Sequence, residues 1–130
     1  MRHFIAYHNP KTMGYSCIDI PEPRVKTSRP VMGLEGVTVW LVAGEGESPK
    51  SYYLTAKFIA SRCQTNVDPG AKLSNLIAGD HGDHGSLFKK SISITGTSLL
   101  ELIQKESANF VRGFYESKDV NIISGLERLA

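Results

Sequence analysis

Asp80-His81-Gly82-Asp83-His84 places two histidines and two aspartates within five positions, side chains that supply nitrogen and oxygen ligands to metal ions. Histidines three apart can share one zinc on a helix, but the glycines at 79, 82 and 85 disfavour a helix here. The stretch also lacks the alternating acids and closing Glu of a calcium loop. It reads first as a hydrophilic loop. The alternative is a metal-dependent enzyme in which His81 and His84, with Asp80 or Asp83, hold the ion. Gly44-Glu45-Gly46-Glu47 lacks the Lys-Ser/Thr pair of a phosphate loop and sets carboxylates where phosphate would sit, so a hairpin turn accounts for it better. At an exposed tip Glu45 and Glu47 would also lack the desolvation that gives a carboxyl a working acid–base pKa. No Gly-x-Ser-x-Gly element is present, and no catalytic residue and no cofactor is assigned.

The opening FIAYHNPKTMGYS, residues 4 to 16, offers different chemistry. Aromatic rings present flat apolar faces on which a nucleic-acid base stacks, while Asn, Ser and backbone groups read its hydrogen-bonding edge. Tyr7, Tyr15 and Ser16, beside a loop, are the candidates for such contacts. Trp40 and Tyr52 lie within strands and read first as core. Arg24, Lys26 and Arg29 cluster after the opening loop and Lys89 and Lys90 precede a later strand; these are candidate phosphate contacts, with a solvated surface as the alternative.

Composition narrows the class. At 130 residues, 41% hydrophobic and 22% charged, the chain fits a single globular domain over residues 1–130 with a self-supporting core. A net charge of +2 is a mild bias and not the footprint of a strongly electrostatic nucleic-acid binder. Apolar runs such as Val37 to Ala43 fall far short of the roughly 18 residues of a membrane span, and Met1-Arg2-His3 leads into no signal-peptide core. A cytoplasmic globule is expected, with Cys17 and Cys63 as reduced thiols outside any disulfide or zinc framework.

The elements that must position these residues follow from periodicity and breakers. Residues 3 to 9 form a first strand that Asn9-Pro10 ends, leaving Pro10 to Ser16 as a loop. Pro21, Pro23 and Pro30 predict an irregular connection. Val37 to Val42 and Ser51 to Ser61 form a hairpin, with Tyr52, Leu54, Ala56, Phe58 and Ala60 on the core-facing side. Residues 62 to 86 read as a long excursion with one helical turn near Lys72 to Ile77. Leu87 to Thr95 is a further strand. Ser98, three residues before Glu101, has the spacing of a capping box and starts a helix through Leu99, Leu100, Leu102 and Ile103. Asn109 to Tyr115 suggests a short strand, and Ile122, Leu126 and Leu129 have helical spacing. The sum is an α+β fold: a small curled mixed sheet or partly closed barrel with flanking helices.

In this order of pieces the chain resembles the PUA-like superfamily, and within it the EVE-like readers and the related modules that precede nuclease domains in bacterial modification-dependent restriction proteins. The resemblance rests on FIAYHNPKTMGYS, on VTVWLVAGEGESPKSYYLTAKFIASR and on NFVRGFYESKDVNIISGLERLA. It implies a curled barrel whose loops receive one flipped, modified base. Carried residue by residue, the base pocket falls on Tyr7, His8, Asn9, Tyr15 and Ser16, with Trp40 as a stacking ring. The partner implied is nucleic acid, DNA ahead of RNA, and a nuclease in the same chain or beside it; no membrane is implied. His8-Asn9-Pro10 stands where EVE proteins carry Ser-Glu-Pro. The remaining alternative is a protein–protein interaction domain.

Overall fold

β3, Thr38–Glu45, is buried along nearly its whole length, which is why its sequence TVWLVAGE shows a continuous apolar run and no alternation. In this computed structural model, which describes residues 2–8, 24–46, 50–79 and 85–130 (backbone alone for 85–90), β3 is the central strand of a five-stranded sheet. The strands are β1 (His3–His8), β3, β4 (Ser51–Ile59), β7 (Gly85–Ser93) and β8 (Phe114–Ser117), ordered β7-β4-β3-β1-β8. β1 runs parallel to β3, pairing from His3 with Thr38 to His8 with Ala43, and the other neighbours are antiparallel. A second, three-stranded antiparallel sheet is built from β2 (Arg24–Thr27), β6 (Asn75–Ala78) and β5 (Arg62–Gln64), in that order.

Both faces of the large sheet are covered. On one face Phe4, Ala6, Val39, Leu41, Ala56 and Phe58 pack with Val25 and Ile77 of the small sheet and with Val31, Leu34 and Val37. On the other, Ile5, Trp40, Val42 and Leu54 meet Leu100 and Ile103 of helix α1 (Ser98–Glu106) and Ile122 and Leu126 of helix α2 (Val120–Leu129). The architecture is therefore mixed α+β in layers: helices, large sheet, small sheet. Among the described residues neither sheet closes into a barrel, because the large sheet ends on β7 and β8; the barrel alternative is corrected to open sheets.

Local chemistry explains most boundaries. Thr97 caps α1 by accepting the Leu100 N–H at 3.2 Å, one residue before the Ser98 expected from the capping-box spacing. Asp119 caps α2 by accepting the N–H groups of Asn121 and Ile122 at 2.8 and 3.2 Å. The register of β3 on β4 slips at Leu41/Val42, where Leu41 faces Ala56 and Val42 faces Leu54. Thr55 is the extra residue, and its hydroxyl donates to the Leu41 carbonyl at 3.1 Å. This bulge sends Leu54 to the helix layer and Ala56 and Phe58 to the small sheet. Leu54, Ala56 and Phe58 are thus buried as expected, but on two different faces, and Tyr52 is half-buried. Two expectations fail. Arg24–Thr27 is a strand inside the proline-rich connection, its Val25 and Thr27 turned inward, and Asn75–Ala78 is a strand and not a helical turn, because it is held between β2 and β5.

Candidate functional site

A concave cleft of about 460 Å³ opens where β1 ends and β8 begins. β1 contributes Tyr7, and β2 with the residues after it contributes Lys26, Ser28 and Arg29. Lys72 and Leu73 come from the connection between β5 and β6, and Phe110, Val111 and Arg112 from the turn between α1 and β8.

Tyr7 is held on several sides. Its N–H donates to the Gly113 carbonyl at 2.8 Å, and its ring stacks on Phe110 with centroids 4.2 Å apart and planes 17° from parallel. Tyr52 extends the cluster, 5.5 Å from Phe110 and 6.4 Å from Tyr7. The Tyr7 hydroxyl lies over the Cα of Gly44, where a Cβ would overlap it; a side chain at that position would displace the ring. Burial raises the Tyr7 phenol pKa, with Lys50 pulling the other way, so the hydroxyl is neutral.

The turn that carries Phe110 is unusual. Ala108, Asn109 and Phe110 have φ of 53°, 56° and 65°, three successive left-handed residues without a glycine among them, a conformation that costs of order 1 kcal/mol or more at each non-glycine. Hydrogen bonds hold it. Ser107, fully buried, accepts the Phe110 N–H on its hydroxyl at 2.9 Å and the Arg112 N–H on its carbonyl at 3.1 Å. Asn109 N–H donates to the Gln104 carbonyl at 2.6 Å. Behind the turn, the Tyr115 phenol pKa is pushed far up, first by burial and then by the Glu106 carboxylate.

Arg29 is anchored before any ligand arrives. Its Nη1 donates to the Phe114 carbonyl at 3.0 Å, its N–H donates to Thr27 Oγ1 at 3.1 Å, and its carbonyl accepts from Asn75 Nδ2 at 2.8 Å. Lys26, Lys72 and Arg112 make no ion pair among the described residues. Arg24 shares the outward face of β2 with Lys26; its Nε is buried without a hydrogen-bond partner among the described residues, and it is not part of the cleft lining.

Of the residues singled out in the sequence, Tyr7, Lys26 and Arg29 meet in this cleft. His8 does not: it is 4% exposed, inside the sheet. Trp40 is corrected from stacking ring to core, since it is 0% exposed, its indole N–H donates to His3 Nδ1 at 3.0 Å, and Lys57 lies 4.9 Å over its ring. No face of it is left for a base. Asn9, Tyr15, Ser16 and the Asp80–His84 stretch lie outside the described residues, as do the side chains of Lys89 and Lys90. Among the described residues no three His, Cys, Asp or Glu side chains gather as metal ligands, and no helix is long and apolar enough to cross a membrane. Sequence reasoning missed Phe110, Lys72 and Arg112; the legible signal was the alternation of aromatic, cation and glycine in Phe110-Val111-Arg112-Gly113. No family model matches the chain, and neither the curated proteins nor the solved structures contain a significant match.

Proposed function

We propose that the chain is a non-catalytic nucleic-acid-binding module, PUA-like and closest in kind to the EVE-like readers, that receives one extruded and modified base beside the Tyr7–Phe110 wall. DNA is the favoured polymer and a nuclease the favoured partner or fused neighbour. The observation that carries this reading is convergence: Tyr7 from β1, with Lys26 and Arg29 from β2 and the residues after it, lines one cleft with Phe110, Lys72 and Arg112. Its volume falls in the range of small-molecule sites, about 300–1,000 Å³. An apolar aromatic wall beside cations is the pairing that base and phosphate require together.

The test is a binding screen of modified and unmodified oligonucleotides, single- and double-stranded, at two ionic strengths. Binding that weakens steeply with salt and favours one modified base is the expected result. An apolar protein interface would instead show little salt dependence, and absence of binding to every oligonucleotide overturns the proposal.

A further inference from the structure

Lys26 and Arg29, Lys72, and Arg112 come from three stretches of chain and line one cleft, and no carboxylate stands among the described residues of its lining. The whole chain is only +2, with 15 Lys and Arg against 13 Asp and Glu, so this local excess is not a by-product of basic composition. Bringing like charges together costs folding energy unless an anion offsets it. A surface that tracks a polymer spreads its cations along a groove, whereas these converge on one concavity, with two guanidinium groups whose forked donors match phosphate oxygens. A phosphodiester brings a single negative charge to such a point. A phosphate monoester brings about −1.5 to −2 at neutral pH and three acceptor oxygens.

We propose that the cleft takes a terminal phosphate monoester of a nucleotide, the doubly charged end of a strand or a free mononucleotide, with Arg29 and Arg112 as the forked contacts and Lys26 and Lys72 as the flanking charges. The assignment of the attached base to the Tyr7–Phe110 wall rests on the function proposed above; the phosphate assignment stands on the cations alone. The fit of Arg29 is preset, because its hydrogen bond to the Phe114 carbonyl fixes the guanidinium at the cleft edge. Arg112 is placed by the Ser107 carbonyl through its own N–H.

The experiment compares one single-stranded sequence carrying a 5′-phosphate, a 3′-phosphate or hydroxyl ends, and uses nucleoside 5′-monophosphates as competitors, all on the full chain. A phosphorylated end is expected to tighten binding about tenfold, which is about 1.4 kcal/mol. In the Lys72→Ala/Arg112→Ala double variant, both of whose side chains are exposed, the ratio between phosphorylated and hydroxyl ends should fall to about one. Arg128→Ala, which removes an exposed cation from α2, should leave the ratio intact. Displacement by mononucleotides at the affinity of the phosphorylated strand would identify free nucleotide as the source of the same chemistry. Equal binding of phosphorylated and hydroxyl ends overturns the monoester site while leaving the nucleic-acid module standing. Binding of mononucleotides with no binding of any strand overturns the module and keeps the site, and binding of neither overturns both.

Discussion

Tyr7 joins scaffold and site in one residue: its backbone ties β1 to Gly113 while its ring stacks on Phe110 at the cleft. Tyr7→Ala should weaken oligonucleotide binding by about 1–3 kcal/mol, and Tyr7→Phe, which keeps the ring, should retain most of it. Fluorescence anisotropy with both variants decides the point, and unchanged affinity in Tyr7→Ala would move the base elsewhere. His3 and Trp40 make the opposite case, polar and aromatic groups turned entirely to structure. His3 Nδ1 accepts the indole N–H, so the ring must be neutral at that nitrogen, and its pKa is lowered by burial first, with Lys57 adding to the effect and Glu127 opposing it. A histidine whose folded pKa lies below its unfolded value binds fewer protons when folded. Its contribution is therefore complete above about pH 6.5 and is lost as pH falls from there through the lowered folded pKa. Urea unfolding at pH 5 and pH 7 should show lower stability at pH 5. In His3→Gln, which keeps an acceptor without a titrating group, that difference should shrink, and an undiminished difference would assign the pH dependence to other groups.

At the scale of elements, the turn from Ser107 to Gly113 is where local preference and tertiary demand part company. Residues 109 to 115 read as a strand from their apolar and aromatic content, yet only Phe114 onward pairs with β1. The preceding residues wind left-handed because the Ser107 hydroxyl and carbonyl collect their N–H groups. Ala108→Gly should accordingly gain up to about 1 kcal/mol where an alanine-to-glycine change in an ordinary loop would lose stability, since glycine adopts positive φ without a Cβ penalty. Chemical denaturation measures it, and a loss of 1 kcal/mol or more would mean that the Ala108 methyl group contributes packing that outweighs its strain. The helices, by contrast, were legible from apolar spacing and caps. The short strands β2, β5 and β6 were not, because three or four residues carry too little periodicity to declare a partner.

For the molecule as a whole, the cleft exists only because the two sheets and the α1–β8 turn come together, and its field is the sum of cations distant in sequence. If that field meets phosphates, the logarithm of the binding constant should fall linearly with the logarithm of salt concentration, and Lys72→Ala should flatten the slope by about 0.7 on single-stranded ligand, the share of one phosphate contact. A slope near zero would exclude phosphate contacts as the source of affinity. The amino-acid order by itself determined what depends on near neighbours: the continuous apolar run of β3, the hairpin to β4, the two amphipathic helices, and the mixed α+β class that these elements compose. Tertiary structure alone decided which polar and aromatic residues reach solvent together. Trp40 and Tyr7 both occupy strands within apolar surroundings, and only the packing of the layers buries one under the helices and leaves the other at the edge of a cleft. Burial is set by contacts between segments far apart along the chain, and spacing along one segment carries no record of them.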